Sequence, residues 1–439
     1  MIDIDQLVER YTRRSATVGV IGLGYVGLPL AIAFAESGYR VLGFDTDPDK
    51  PARLMAGDSY IGAVSSRRLR RVAADGKFVA TDDLGRLGET DATMICVPTP
   101  LDPRREPDLS FVENSGRALA ATLRPGQLVV LESTTYPGTT REVLLPILAA
   151  TGLEVDRDFF LAYSPEREDP GNVDYTVSSI PKVVGADHPA SRRLAMELYR
   201  PVVPELVAVS STAAAEATKL TENIYRAVNI ALVNELKMVY AAMGIDVWEV
   251  LAAADTKPFG FQRFNPGPGW GGHCIPIDPF YLAWRARREG SSARFVELAG
   301  RVNTEMPGWV LDRLGEALAA SDRRIDGARI LLLGVAYKAN VDDARESPAF
   351  VLWDRLAAEG AEVAYHDPHI PHLPATRSWP SLHNTASTPL NAETLASADA
   401  VVILANHDAI DFDLVAHHAK LILDTRGVYP VQTPRVVRA

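Results

Sequence analysis

The stretch Ala16-Thr17-Val18-Gly19-Val20-Ile21-Gly22-Leu23-Gly24-Tyr25-Val26-Gly27 constrains the fold more than any other part of the chain. Its first half is a β-branched apolar run of strand length, and its second half is a Gly-x-Gly-x-x-Gly turn. Residues 28–37 have helical character and stop at Gly38. Arg40-Val41-Leu42-Gly43-Phe44-Asp45 then reads as a second strand ending in an acid, about 20 residues beyond the glycines. This order of strand, glycine turn, helix, strand and acid is what a parallel α/β sheet needs to hold a dinucleotide on its first turn. Gly22, Gly24 and Gly27, with Tyr25 and Val26 between them, allow a tight turn and close approach of a pyrophosphate. The helix N-terminus adds backbone donors and a favourable dipole. Asp45 is placed to accept hydrogen bonds from the adenosine ribose and to repel a 2′-phosphate. No Arg immediately follows it, so the expected cofactor is NAD rather than NADP.

The alternation continues. Ala92-Thr93-Met94-Ile95-Cys96-Val97 reads as a strand ending at Pro98-Thr99-Pro100, and Gln127-Leu128-Val129-Val130-Leu131-Glu132 as one ending at Ser133-Thr134-Thr135. Ligands of such sheets sit outside the carboxyl ends of the strands, so Thr99 and Thr134 belong on the cofactor side. Cys96 lies within an apolar strand and reads as a packed small hydrophobe. Phe160-Leu161-Ala162-Tyr163 ends in the polar loop Ser164-Pro165-Glu166-Arg167. Residues 212–243 are nearly free of helix breakers, with Leu220, Ile224, Ala227, Ile230 and Ala231 at helical spacing. They predict one long bridging helix that also offers a dimer surface, and a further helix starts at residues 247–253. Beyond it, runs at 328–335, 360–368, 400–404 and 421–424 predict a second α/β half. Its first turn, Gly334-Val335-Ala336-Tyr337-Lys338, lacks the three-glycine pattern and suits a phosphorylated ligand other than a dinucleotide. Residues 371–389 read as a surface loop. The expected architecture is α/β, with two Rossmann-like doubly wound domains joined by a helical central domain. The expected boundaries are 1–208, 209–310 and 311–439.

Between the halves lies Asn265-Pro266-Gly267-Pro268-Gly269-Trp270-Gly271-Gly272-His273-Cys274-Ile275-Pro276-Ile277-Asp278-Pro279. Asp278 is a natural N-cap and Pro279 a natural first residue for a helix over 280–288. A thiol beside a helix N-terminus sees the positive end of the dipole, which favours the nucleophilic thiolate. The glycines at 267, 269, 271 and 272 leave no side chains to block a ligand. The loop therefore reads either as an exposed nucleophile with room for substrate or as a tight turn around a small packed Cys.

Composition narrows the function classes. A net charge of -11 argues against broad nucleic-acid binding, and only two cysteines, Cys96 and Cys274, exclude a disulfide scaffold. Zinc-type Cys/His clusters are absent from the sequence, and so are apolar runs of membrane-spanning length and a signal-peptide core. A soluble cytoplasmic protein is expected.

Across its whole length the chain resembles the UDP-glucose/GDP-mannose dehydrogenase family. The resemblance rests on Gly22-Leu23-Gly24-Tyr25-Val26-Gly27-Leu28-Pro29, Glu132-Ser133-Thr134, Ser164-Pro165-Glu166-Arg167 and Lys219-Leu220-Thr221-Glu222-Asn223. The cysteine loop through Asp278 and Gly334-Val335-Ala336-Tyr337-Lys338 complete it. Residues 163–172, Lys257-Pro258-Phe259-Gly260-Phe261 and residues 266–279 look like the branch that oxidises UDP-N-acetylhexosamines, the UDP-N-acetylglucosamine 6-dehydrogenases in particular. The resemblance implies a homo-oligomer with the dimer built on the middle helix, NAD on the first domain and UDP on the last. It also implies a four-electron oxidation of the sugar C6 alcohol to a carboxylate.

The roles implied are specific. Cys274 captures the intermediate aldehyde and carries it to a thioester. Lys219 and Asn223, four apart and so on one helix face, stabilise the oxyanion and hold the hydrolytic water. Glu166 is the general base, and Thr134 orders the water. Asp278 caps its helix, hydrogen-bonds the catalytic water or the Lys219 ammonium, or does both. Arg167, Gly271, His273, Tyr337, Lys338 and Arg426 are the remaining substrate contacts. In the glucose-oxidising branch a second acid lies four residues after the Glu; here that position is Pro170, which favours an acetamido sugar. Arg345 is equally suited to pair with Asp342 or Asp343 and to touch ligand. UDP-ManNAc and UDP-glucose are alternative substrates. A two-electron dehydrogenase or epimerase with a structural Cys274, and a non-catalytic sugar-nucleotide sensor, are alternative functions.

Overall fold

A computed structural model of the chain describes residues 2–102, 104, 106–167, 179–272, 275–376 and 378–439. His273, Cys274, Pro170 and Asn172 lie outside the described residues. The chain forms two compact units, Met1–Glu222 with Trp284–Ser291, and Asn223–Ala283 with Ser292–Ala439.

The first unit is built on β1 (Thr17–Ile21), β2 (Arg40–Phe44), β3 (Phe78–Thr81), β4 (Ala92–Ile95), β5 (Leu128–Leu131), β6 (Phe160–Tyr163), β7 (Lys182–Gly185) and β8 (Leu206–Val209). Their order is β3-β2-β1-β4-β5-β6-β7-β8. Neighbours are parallel except β6 and β7, which are antiparallel through Tyr163 and Gly185. The strands read as continuous apolar runs because both faces are covered. Val18, Val20, Leu128, Val130, Phe160 and Ala162 join one core, while Ile21, Val129, Leu131, Leu161 and Tyr163 join the other. This two-residue alternation is what a pleated sheet imposes. Full burial of each such side chain contributes about 1.5–3 kcal/mol.

The second unit carries β9 (Arg329–Leu333), β10 (Glu362–His366), β11 (Ala400–Ile403), β12 (Ile422–Asp424) and β13 (Val436–Arg438). All pairs are parallel in the order β10-β9-β11-β12-β13. Ile330, Leu332 and Val402 face one core, and Leu331, Leu333, Val401 and Ile403 the other. In both sheets the strand order reverses beside the first strand, between β1 and β4 and between β9 and β11. Crevices at such points are where doubly wound sheets bind ligands.

The long helix runs Thr212–Ala242, as its composition predicts, and passes from the first unit into the second. The helix after the cysteine loop is Asp278–Arg288, so Asp278 is its first residue rather than its N-cap. That is a one-residue correction of the kind helix ends commonly require. The expected surface loop at 371–389 is anchored: Leu373 is buried, Trp379 packs on Phe350 at 5.4 Å, and Tyr365 Oη donates to Ile370 O at 2.9 Å and Thr385 O at 3.2 Å. Strands β3, β7, β8 and β13 and the helix Arg294–Ala319 are additions to what the sequence patterns indicate.

Candidate active site

The glycine turn after β1 shows which glycines serve the fold and which serve a ligand. Gly22 has φ +90°, and a Cβ there would lie 2.4 Å from Cys96 O. A Cβ on Gly27 would lie 1.8 Å from Gly22 O. Both are required by the close packing of turn, helix and β4. Gly24 differs, because a Cβ there would meet nothing within 4 Å. The space over Gly24, beside the helix Gly27–Glu36 that no side chain caps, fits a pyrophosphate taken up by backbone N–H groups. Gly24→Val should therefore leave the melting temperature nearly unchanged while raising the Kd for NAD at least about tenfold. Isothermal titration with NAD measures the effect, and unchanged affinity would remove the glycine turn from the cofactor site.

Asp45 is buried at the end of β2. Its carboxylate accepts from Leu23 N at 2.9 Å and from Lys50 Nζ at 3.1 Å. The Lys50 ammonium is a feature the sequence reading missed, because it follows Asp45 by five positions rather than one. Thr99 Oγ1 donates to Thr134 O at 2.7 Å, which joins the ends of β4 and β5. Ser133 Oγ reinforces that join through Val97 N at 3.0 Å and Val97 O at 2.8 Å. Thr99 and Thr134, the residues expected on the cofactor side, thus meet at one edge of the sheet. Tyr25 is half-exposed, and Val26 is partly buried beside it.

Glu166 and Arg167 follow β6. Arg167 reaches Glu222 at 2.7 Å and donates to Pro181 O at 2.6 Å. Glu222 lies on the long helix three residues beyond the buried Lys219. The same helix is fixed from its start by Glu216, a wholly buried carboxylate. Glu216 accepts from Thr140 N at 2.8 Å, Thr140 Oγ1 at 2.7 Å and Gly138 N at 2.5 Å. It therefore caps the helical segment beginning at Thr140 and fixes the helix turn carrying Lys219 against the loop that follows Thr134. Burial raises the Glu216 carboxyl above its usual range, and the three donors oppose that shift.

A buried cluster lies beneath this edge. Lys182 Nζ donates to Glu132 Oε2 at 2.7 Å, Tyr199 Oη donates to Glu132 Oε1, and the ammonium lies 5.0 Å from the Tyr199 ring centroid. Burial pulls the Lys182 ammonium down, but the carboxylates of Glu132 and Glu166 outweigh it and leave it above ordinary lysine. Burial and Glu132 together push the nearby Cys96 thiol well up, which keeps it protonated and inert, as its strand position implies. Sequence reading missed Lys182, Tyr199 and Glu216. The available signal was a Lys heading the apolar run Val183-Val184-Gly185.

In the second unit, Asn223 Nδ2 donates to Asp278 Oδ2 at 2.6 Å, and both residues are buried. The cysteine loop upstream of Gly272 corrects one expectation: its glycines are not an open floor. A Cβ on Gly267 would lie 2.6 Å from Arg426 Nη1, one on Gly271 2.8 Å from Tyr337 Cβ, and one on Gly272 3.0 Å from the Tyr337 ring. They let the loop press against Tyr337 and Arg426. The Gly267 peptide is held on both sides, its N–H by Asn234 Oδ1 at 2.9 Å and its carbonyl by Lys237 Nζ at 2.9 Å. Burial and the charge of Arg426 push the wholly buried Lys237 well below ordinary lysine, and burial lowers Arg426 to about 10. Lys338 lies 6.0 Å from the Tyr337 ring centroid. Arg345 forms an ion pair with Asp343 at 2.6 Å.

The β9 turn repeats the β1 turn only in its first residue. Gly334 has φ +76°, and a Cβ would lie 2.4 Å from Ala405 O, but no helix follows until Pro348–Ala358. Asp367 stands where Asp45 stands in the first sheet. Its carboxylate accepts from Val335 N at 2.7 Å and Ala336 N at 3.1 Å, and it contacts His407 Nε2 at 3.1 Å, with both side chains fully buried. Among the described residues no group of His, Cys, Asp and Glu could hold a metal ion, and no helix is long and apolar enough to cross a membrane.

Three family models match the chain in succession. They are the NAD binding domain of the UDP-glucose/GDP-mannose dehydrogenase family at residues 16–203, its central domain at 213–305 and its UDP binding domain at 331–431. The chain belongs to the UDP-glucose/GDP-mannose dehydrogenase family. It is an NAD-dependent nucleotide-sugar dehydrogenase, and Tyr337, Lys338 and Arg426 fall within the UDP binding domain of the family. UDP-N-acetyl-D-mannosamine dehydrogenase from Escherichia coli (strain K12) is 35% identical over 431 residues, covering 94% of this chain and 99% of that protein. UDP-N-acetyl-D-glucosamine 6-dehydrogenase from Pseudomonas aeruginosa is 36% identical over 392 residues, covering 89% and 90%. Among solved structures, UDP-D-ManNAc dehydrogenase from Pyrococcus horikoshii aligns with a TM-score of 0.86 at 32% identity, covering 96% of this chain and 98% of that one.

Proposed function

We propose that this dehydrogenase oxidises the C6 hydroxyl of a UDP-N-acetylhexosamine to the uronic acid in a four-electron reaction, with UDP-N-acetylglucosamine as the first choice. The observation that carries the reading is the packing of the cysteine loop on Tyr337 and Arg426. That contact ties the segment leading into Cys274 to residues of the UDP binding domain. The two relatives named above act, by their names, on UDP-N-acetylated sugars, which supports the sugar class.

NAD is the hydride acceptor in both oxidations. The residues proposed to hold it are Gly22, Gly24, Tyr25, Val26, Gly27, Asp45, Thr99 and Thr134. Cys274 adds through its sulfur to the C6 aldehyde and carries it first as a thiohemiacetal and then as a thioester. Water attacks the thioester carbonyl, Glu166 takes the water proton, and the Cys274 thiolate leaves. Lys219 and Asn223 stabilise the oxyanion of the tetrahedral states. Asp278 orients the Asn223 amide through the bond described above. The reaction consumes one water and yields two NADH per sugar.

The deciding test is a panel of UDP-N-acetylglucosamine, UDP-N-acetylmannosamine and UDP-glucose, followed by NADH absorbance to completion. The expected result is two NADH per sugar, with the highest kcat/KM for UDP-N-acetylglucosamine. One NADH per sugar would overturn the four-electron reading. Preference for UDP-N-acetylmannosamine, which the Escherichia coli relative's name makes the second reading, would move the sugar assignment.

We also propose a homodimer, with a second copy seated on the long helix. Tyr225, Leu232 and Val239 recur every seven residues on it and are exposed at 50%, 52% and 41%. An apolar helical stripe of this kind suits a self-complementary twofold contact. Leu232→Glu combined with Val239→Glu should convert dimer to monomer in light scattering. A dimer of unchanged mass would exclude this face.

A further inference from the structure

The ion pair of Glu132 and Lys182 has no role in the chemistry above, yet among the described residues it is the most deeply buried pair of opposite full charges at the ligand edge of the first sheet. Glu132 is 0% exposed, Lys182 5% and Tyr199 0%. An apolar pair of the same volume would generally serve stability as well or better, because both ions give up hydration. A buried pair of this sort therefore calls for an explanation in geometry.

That explanation begins with strand direction. β7 runs opposite to β6, so its first residue, Lys182, lies at the edge where β1 to β6 end. There it faces Glu132 at the end of β5 and the segment that follows β6. This segment is tied to the start of β7 residue by residue. Ser164 Oγ donates to Val183 O at 2.8 Å, Lys182 Nζ reaches Pro165 O at 3.4 Å, and Arg167 Nη1 donates to Pro181 O at 2.6 Å. Glu166 sits between the last two ties. Its carboxylate bears electrostatically on the Lys182 ammonium, on Glu132 and on Cys96. Glu132 and Tyr199 fix that ammonium from below: the carboxylate takes Lys182 on one oxygen and the Tyr199 hydroxyl on the other.

We infer that Lys182, held by Glu132 and Tyr199, is a positioning residue for Glu166, aiming its carboxylate at the water that hydrolyses the Cys274 thioester. This rests on the reading of Glu166 as the hydrolytic base. Lys182 holds the backbone carbonyl just before Glu166 and offers a fixed positive charge behind it. Without that charge the segment keeps its outer ties through Ser164 and Arg167, but Glu166 loses the ammonium beside it.

The test uses the full-length enzyme with both charges removed together, Glu132→Gln with Lys182→Met, so that no unpaired ion is buried. The expected result is a loss in kcat of about 10²-fold with KM for NAD and for the UDP-sugar within about twofold, the size of effect a misplaced catalytic group gives. Intact-mass spectrometry of the enzyme during turnover should show the uronyl thioester accumulating, because hydrolysis has become the slow step. Lys182→Arg alone should restore most of kcat and abolish the accumulation. If the double variant does not fold, Tyr199→Phe, which loosens Glu132 and leaves both charges in place, should show the same adduct with a several-fold loss in kcat. Glu166→Gln is the control. Adduct in Glu166→Gln together with wild-type kcat and no adduct in the double variant, or in Tyr199→Phe if that is the variant used, overturns the positioning role alone. Undiminished turnover without adduct in Glu166→Gln overturns the base reading, and the positioning role with it.

Discussion

Cys274→Ala enzyme should bind UDP-sugar with an affinity within about twofold of wild type and form uronic acid at least about 10⁴-fold more slowly, the scale on which loss of a covalent nucleophile is felt. The reason for the split is spatial. The loop before Cys274 is held by contacts that do not involve its thiol: Asn234 and Lys237 on the Gly267 peptide, and Tyr337 against Gly271 and Gly272. Removing the sulfur leaves that clamp intact. Titration calorimetry with the UDP-sugar and product analysis by mass separate the two halves of the prediction. Acid formation at the wild-type rate would exclude the thioester route and leave a hydrated aldehyde as the oxidised species. Loss of binding together with turnover would mean that the thiol has a structural role in the loop.

Lys219→Ala should lower kcat by about 10²–10³-fold, the cost of removing one preorganised donor from a developing oxyanion. Lys219 is 6% exposed on a helix whose rotation is fixed by Glu216 below it and by the ion pair of Glu222 with Arg167 above it. Its ammonium is therefore preorganised, and its loss should fall on kcat rather than on KM. Steady-state kinetics with saturating NAD test this. A variant with altered KM and unchanged kcat would make Lys219 a binding residue only.

Much of this was legible in the sequence, for reasons that differ from residue to residue. Gly22 and Gly27 announce themselves because their backbone surroundings admit no Cβ, so the turn pattern is written into the residue type itself. The strands other than β3, β7, β8 and β13 announce themselves because burial leaves apolar runs. The long helix does so through the absence of breakers over residues 212–243. Lys182 and Glu132 were not legible, since 50 positions separate them and each alone looks like an exposed charge at a strand end. The glycines of the cysteine loop were visible, but their use was misjudged. A glycine reports that something comes close without saying whether the neighbour is a ligand or a side chain such as Tyr337. Asp278, expected to cap its helix and to hydrogen-bond a catalytic water or Lys219, takes the amide of Asn223 from its first-turn position. That partner lies on a different helix, beyond the reach of local pattern.

The pairing of Asp367 with His407 has a consequence for an enzyme that must sort two nucleotides from one solution. Both the oxidant and the substrate are nucleoside diphosphate derivatives, and the chain offers each a sheet of the same kind. In the first sheet the acid at the end of β2 takes one backbone amide of the glycine turn and the Lys50 ammonium, beside open space above Gly24. In the second, the corresponding acid is spent on two backbone amides and an imidazole, and the turn has no helix behind it. An adenosine ribose arriving there meets an acid that holds one more amide of its turn than Asp45 does, and an imidazole in place of the Lys50 ammonium. Excess NAD should accordingly fail to compete with the sugar nucleotide, so that a rise in cellular oxidant speeds this enzyme without jamming it.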